Sequence, residues 1–299
     1  MNDNKKPVDA LKIKQKYKKQ SQVKEIWFRL KKNRTAVLGL IIISIIIVLS
    51  ILSGFIYDYD NDIINQNISE RLQSPSFEHP FGTDELGRDI LARIIYGSRT
   101  SLSIGFATVL IALIVGGILG AISGFFGGYI DNGIMRVMDI FLAIPGTLFA
   151  ITIVAALGTS TINLMIALSI SSVPRFARIV RSSVMTVRDV EFIEAAEAIG
   201  ANNFRIITQH VIPNSLAPVI VHTTLNVATI ILTIAGLSFL GLGVSAPTPE
   251  WGAMLSSART YMREYSYMTL FPGLAIMITI LSLNLLGDGL RDALDPRLK

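Results

Sequence analysis

EFIEAAEAIGANNFRIITQHVIPN (residues 191–214) carries four charges and reads as two short amphipathic helices around a glycine. The stretches on either side are of another kind. Residues 140–174 form an uncharged run of 35, and residues 211–249 hold no Asp, Glu, Lys or Arg. Across all 299 residues, 51% are hydrophobic and only 16% charged, with mean hydropathy +0.53. Soluble domains average about a quarter charged, so a bilayer is the expected solvent. The charged segment is then a loop that a membrane protein holds out in water.

Working outward, residues 36–56 are 21 without a charge, about 31 Å as helix and enough for the ~30 Å hydrocarbon core. A basic start before an apolar run also describes a secretory signal. This run exceeds the usual length of about 7–15 residues and no small-x-small cleavage site follows, so an uncleaved span is expected. VKEIWFRLKKNR (23–34), with Trp27, Phe28 and Leu30 among lysines and arginines, suits a helix lying along the headgroups. Further spans are expected at 101–124, near 138–158 and near 161–181, the last two divided at LGTST (157–161). The fifth falls near 215–240 and the sixth at 265–287. Arg175, Arg178 and Arg181 end the fourth span and are expected to snorkel to an interface.

The basic residues orient these six spans. Residues 1–35 hold twelve of them, 58–100 hold four against eight acids, and 174–213 hold five. Ten of the eleven lysines precede residue 33, so the net charge of +5 is a topology signal and not a nucleic-acid face. Both termini and the 191–214 segment are expected to be cytoplasmic. Gly116, Gly120, Gly124 and Gly128 recur every fourth residue, a stripe that lets helix backbones approach; a helix–helix seam is favoured over a role in lining a pathway.

The chain lacks the chemistry of a self-driven pump. No Gly-x-x-x-x-Gly-Lys-Ser/Thr loop occurs. Span interiors hold no ionisable proton relay of the usual kind; Asp139, near the start of the third span, has Arg136 as an expected helical partner. With no cysteine, disulfides and thiolate metal sites are excluded. His79, His210 and His222 are too scattered for a metal site, and no nucleophile–base pair supports an intramembrane hydrolase. Outside the membrane, Thr83 is expected to cap a helix, and Pro247, Pro249 and Trp251 to form a rigid turn with an interfacial aromatic. Asn67-Ile-Ser69 matches a glycosylation sequon, a short pattern of little weight. His222, Thr223, Asn226 and Asn284 are candidates for lining a translocation path, although bonding to a neighbouring helix is the favoured reading of each.

A chain that is moved by something else needs a handle, and residues 191–214 have the features of one. Glu191, Glu194 and Glu197 align on one helical face, a repulsion that a basic partner surface would relieve. Ala195, Ala196 and Ala198 keep the neighbouring surface low. Gly200 stands where a left-handed cap is expected. Asn202 or Asn203 can cap a second helix, which Pro213 is expected to end.

Glu194-Ala195-Ala196, Gly200 and Pro213 resemble the "EAA" loop of ABC-importer permeases. The ending His210-Val211-Ile212-Pro213-Asn214 departs from the general Ile-x-Leu-Pro pattern but is similar to the His-x-Leu-Pro-Asn form of the dipeptide/oligopeptide/nickel subfamily. HPFGTDELGRDILARIIYGSRTSL (79–102), FLGLGVSAPTPEWGAML (239–255), GDGLRDALDPRL (287–298) and WFRLKKNRTAVLGLIII (27–43) resemble its C-type permease. The resemblance runs over residues 24–298.

The resemblance implies an all-α integral membrane protein with six transmembrane helices of the type I importer kind. Residues 1–35 would be a basic cytoplasmic tail with an interfacial helix, 36–57 the first span and 58–100 an extracellular region. Residues 101–290 would be a five-span core with its coupling loop at 189–214, followed by a cytoplasmic tail at 291–299. It further implies a second related permease, two ATP-binding subunits and an extracellular substrate-binding protein. ATP and Mg would sit in those ATPases and no cofactor in this chain. Glu194, Ala195, Ala196, Gly200 and Pro213 would carry coupling, with Glu191, Glu197 and Arg205 beside them. The expected activity is ATP-driven import of di- or oligopeptides across a prokaryotic plasma membrane. Import of nickel or a metal chelate by the same architecture stays open, as does a stand-alone channel or secondary carrier.

Overall fold

A computed structural model describes residues 22–294; the lysine-rich tail before them and the last residues of the C-terminal tail lie outside the described residues. Among the described residues the chain is built of helices, without strands, and residues 65–89 are mostly turns and irregular backbone. Helix α1 (Gln22–Lys32) sets Ile26 and Leu30 against Ala36, Leu286, Leu290 and Ala293. Trp27 and Phe28 remain exposed, with the Lys31 and Lys32 ammonium groups 4.9 and 4.5 Å from their ring centroids. Such aromatic–lysine pairs suit the headgroup layer. Asn33 caps α2 (Arg34–Ile56) by accepting from the Ala36 N–H at 3.2 Å.

The long helices that follow are α3 (Ile90–Phe126), α6 (Thr161–Arg188), α9 (Ile212–Phe239) and α11 (Tyr267–Leu294). Among the described residues five helical stretches are long and apolar enough to cross a bilayer. A sixth crossing requires α4 (Gly128–Leu142) and α5 (Gly146–Leu157) together, which meet at 80°. The straight third span expected near 138–158 is therefore broken. Pro145 occupies the N-cap of α5; it has no N–H to continue α4 and drives the residue before it out of helical geometry. The others extend beyond their hydropathy limits, α3 most of all. At 37 residues it is about 56 Å long, well over the ~30 Å core, because polar turns add no apolar signal.

In lipid, helices associate through close contact more than through apolar burial. Gly116, Gly120 and Gly124 supply that contact: a Cβ on any of them would meet the backbone of α6, from the Val173 to the Arg181 carbonyl. Gly128 is not part of this seam. The helix ends at Gly127, and Gly128 opens α4 with φ +54 and no atom within 4 Å of where a Cβ would stand. The central core gathers Leu102, Val109, Ala112, Leu164, Phe176 and Ile231 from α3, α6 and α9.

Residues 57–89 cover one end of the bundle. The Thr83 hydroxyl donates to the Glu70 carbonyl and accepts from the Gln73 N–H, so Thr83 is not a helix cap. Asp89 is: it accepts from the Ala92 N–H at 2.8 Å and bonds His79 Nδ1 at 2.9 Å. Buried Asp84 pairs with Arg88 at 2.7 Å, and Arg93 donates to the Ile63 carbonyl at 2.8 Å. Phe81 stacks on Phe271, centroids 4.0 Å apart, fixing the cover to α11. Trp251 opens α10 (Trp251–Ala258) and is only 2% exposed, its Nε1 donating to the Ile94 carbonyl at 3.0 Å. It is a core residue and not an interfacial one, because α10 folds back between α3 and α11. Glu250 caps α10 through the Gly252 and Ala253 N–H groups. Asp89→Ala removes a cap of about 1 kcal/mol and is expected to lower the unfolding midpoint of the detergent-solubilised protein, while Asp89→Asn retains most of it.

Candidate coupling site and transmembrane polar residues

The 191–214 segment projects from the end of the bundle opposite the cover. α7 (Glu191–Ala198) follows α6 after a two-residue turn. Ile193 and Ala196, three apart, form its buried stripe; they join Phe125 of α3, Val184 of α6 and Ile206, Val211 and Val219 in a small apolar cluster. Only one side of α7 is spent on this contact. Glu191, Glu194, Ala195 and Glu197 are exposed, whereas Ala196 turns inward.

The end of α7 is geometrically defined. The Ala201 N–H donates to the Ala196 carbonyl and the Gly200 N–H to the Glu197 carbonyl, at 3.1 and 2.9 Å. This pair of bonds requires a left-handed residue, and Gly200 has φ +82. Asn202 accepts from the Arg205 N–H at 2.8 Å and so caps α8 (Asn203–Ile206). Arg205 Nε donates to Gln209 at 3.2 Å. Pro213 does not end this helix. A widened turn over Ile207–Val211, in which the Ile212 N–H reaches the Ile207 carbonyl, leads directly into α9. Pro213 stands in the first turn of α9, where a missing N–H removes no intrahelical bond. The loop is thus rigidly joined to two spans.

Sequence reasoning about the acidic face overlooked its apolar neighbours. Phe192 is exposed, and Ile199 and Phe204 are 85% and 77% exposed. Their signal was available: apolar side chains that fall off the Ile193–Ala196 stripe of an otherwise polar loop.

Two arginines expected to snorkel are instead engaged across helices. Arg181 binds Asp131 of α4 through two bonds of 2.5 Å, and Ser123 of α3 donates to the same carboxylate. Arg178 pairs with Asp139 at 2.7 Å. Asp139 therefore finds its partner on α6, and not in Arg136 on its own helix, because the bend at Pro145 lays α4 alongside the end of α6. Arg188 donates to the Gly124 and Phe125 carbonyls at 3.3 Å, groups left free by the end of α3.

The four polar residues proposed within spans do not form one site. His222 lies edge-on to Phe176 with centroids 5.0 Å apart. Asn226, one turn further along α9, is buried. His222 Nε2 and Asn226 Oδ1 have no hydrogen-bond partner among the described residues. Thr223 donates to the Val219 carbonyl of its own helix at 2.7 Å. Asn284 instead opens on an apolar groove of about 610 Å³ lined by Leu232, Phe239, Leu255, Met277 and Leu281.

A bundle of apolar helices with a rigid, half-exposed helix pair built into two of them defines a multi-pass membrane protein. Residues 116–299 match the family of binding-protein-dependent transport system inner membrane components, and residues 21–75 match the N-terminal transmembrane domain of oligopeptide transport permease C. The chain belongs to this family, as an ABC-transporter permease of the peptide-transporter C type. It is 51% identical over 276 residues to the dipeptide transport system permease protein of Alkalihalophilus pseudofirmus, covering 92% of this chain and 90% of that one. The glutathione transport system permease protein of Pectobacterium atrosepticum is 41% identical, with 92% and 91% covered. Among solved structures, the MetNI methionine ABC transporter in inward-facing conformations matches with TM-score 0.56 at 17% identity, over 68% of this chain and 96% of that one. An amino acid ABC transporter solved with histidines matches with TM-score 0.53 at 15% identity, over 68% and 94%. These likenesses concern the fold. The chain is the membrane-spanning permease half of a peptide-type ABC importer that works with an ATPase partner, and its family assigns it transport rather than catalysis.

Proposed function

We propose that this permease imports di- and oligopeptides in a complex with a second related permease, two ATP-binding subunits and an extracellular substrate-binding protein. ATP and Mg belong to the ATPase subunits; this chain supplies half of the pathway and the contact through which it is driven. The observation that carries the coupling role is the outer face of α7. Three carboxylates, flanked by exposed Phe192, Ile199 and Phe204, stand on a helix whose other face is anchored to α3, α6 and α9. An acidic and apolar surface of this kind fits a groove with basic and apolar lining. Glu191, Glu194, Ala195, Glu197, Gly200 and Arg205 contact the ATPase; Ala196 and Pro213 hold the loop in shape. When ATP draws the two ATPase subunits together, the grooves carry the loops, and the permeases exchange inward-facing for outward-facing states. The force on each loop derives from differential contact in those two states.

The peptide cargo is supported by relatives named for dipeptide and glutathione transport. The surplus of basic residues before residue 36 and in 174–213 supports cytoplasmic termini and a cytoplasmic loop. The bacterial sources of the similar permeases support a prokaryotic plasma membrane as the location. The test is reconstitution of the complete transporter in liposomes with labelled dipeptide, glutathione or nickel. Peptide uptake is expected only with ATP, the binding protein and both permeases present. Transport by this chain alone without nucleotide would refute the reading, and nickel uptake in place of peptide would refute its cargo.

A further inference from the structure

The helix α4 is attached to the rest of the chain in an unusual way. Of its residues Gly128–Leu142 only Asp131 and Met138 are buried within the chain. Apolar packing therefore does little to fix it, and both ends are joints. Gly127 precedes it and Gly128 opens it, at φ +66 and +54; after it comes the 80° break leading into α5. Within the chain, what ties α4 to its neighbours is chiefly charge. Asp131 receives Arg181 through two bonds of 2.5 Å and is further bonded by Ser123, and Asp139 receives Arg178 at 2.7 Å.

Both arginines sit in the last three turns of α6, the helix that runs into the coupling loop after Arg188. A bidentate guanidinium–carboxylate pair fixes orientation as well as distance. The Asp131 and Arg181 side chains are 12% and 29% exposed, so solvent screens this pair far less than a surface pair. Asp139 and Arg178, about half exposed, form a weaker second point. Two attachments on one rigid helix stop it pivoting about either.

We propose that Asp131 and Arg181, seconded by Asp139 and Arg178, are positioning residues that clamp the jointed helix α4 to α6, so that movement of the coupling loop is delivered to the broken span. The proposal rests on the coupling role of 191–214. The clamp converts a displacement at the end of α6 into displacement of α4, the half of the broken span that packing leaves loose, while α5 follows α6 through the core that holds Ala150 and Val154. Without it the loop still follows the ATPase, but α4 turns on its glycine joint and lags behind the rest of the bundle.

The experiment uses the complete transporter in liposomes and reads labelled peptide delivered per ATP hydrolysed, together with ATPase turnover and the amount of assembled complex. Asp131→Asn keeps the shape and removes the charge. It is expected to lower peptide per ATP about tenfold, with ATPase turnover and assembly changed by less than about twofold. The exchange Asp131→Arg with Arg181→Asp is expected to recover part of that loss, which repair of simple misfolding would not do. Asp139→Asn touches an exposed pair with little weight in stability, so it assembles even if the first variant does not, and its expected loss is about threefold. Unchanged peptide per ATP in both single variants overturns the proposal. So does a fall of uptake and ATPase turnover in equal proportion, because that is the mark of a merely structural role. A loop variant, Glu194→Lys with Gly200→Val, separates the two readings. If it uncouples and Asp131→Asn does not, the clamp fails alone; if neither has any effect, the coupling role of the loop fails with it.

Discussion

Gly116→Leu is expected to prevent stable folding of the permease, whereas Gly117→Leu one residue along the same helix is tolerated. A Cβ at Gly116 would stand 2.6 Å from the Val173 carbonyl oxygen, 2.7 Å from Phe176 Cβ and 3.0 Å from the Ala177 nitrogen. Two of those atoms are backbone of α6 and cannot rotate away. The helices must separate, and with them the contacts at Gly120 and Gly124. Overpacking in a filled core typically costs about 1–3 kcal/mol and sometimes more; a clash with backbone over a shared seam belongs at the upper end. Gly117 has nothing within 4 Å, so a leucine there adds an apolar side chain toward lipid and raises helix propensity by up to about 1 kcal/mol. Unfolding midpoints of the two purified variants, and the yield of assembled complex, check the contrast. Equal midpoints would show that the glycine stripe does not set the α3–α6 distance.

The second large effect concerns transport with folding preserved. Glu194→Lys combined with Gly200→Val is expected to reduce ATP-driven peptide uptake at least about tenfold, a loss on the scale of an energetic coupling between sites. Glu194 is exposed, so charge reversal disturbs nothing inside the chain. Gly200 has open space around it but φ +82, a conformation that costs an L-residue roughly 1–2 kcal/mol and a β-branched one more. The valine thus misdirects the turn between α7 and α8 while the spans stay in place. Membrane-inserted protein, measured by its resistance to alkaline extraction, is expected to equal that of the unmodified chain. Normal uptake in a correctly assembled double variant would end the coupling assignment.

The proposed clamp and the proposed coupling loop would form one mechanical line. Ile193 and Ala196 bind α7 to the base of α3 and α6, Arg188 ties α6 to the end carbonyls of α3, and Arg178 and Arg181 hold α4. On the proposed coupling role, loop displacement would reach three spans through packed or charge-bonded contacts. Each is a discrete contact that can be made or broken, as a two-state transition requires.

Some of this organisation was legible in the sequence alone, for reasons of locality. Hydropathy over some twenty residues reports the solvent around a helix, which is why the spans α2, α3, α6, α9 and α11 could be located before any coordinate. The four-residue glycine repeat reports one helical face, and it foretold the seam at Gly116, Gly120 and Gly124. Gly200 and Asn202 were readable as caps because capping is settled within five residues of chain. Tertiary structure decided the rest, and always where a residue chose among partners distant in sequence. Asp139 had a plausible mate three residues away in Arg136 and took Arg178, because the bend at Pro145 brought α6 closer. Trp251 read as an interfacial aromatic and is buried, because α10 folds back into the bundle. Thr83 lost the cap to Asp89, and Pro213, expected to end the second helix of the loop, sits instead in the first turn of α9, since a widened turn joins the two. Periodicity states which way a side chain faces on its own helix. Only the packing of that helix against others determines what it meets there.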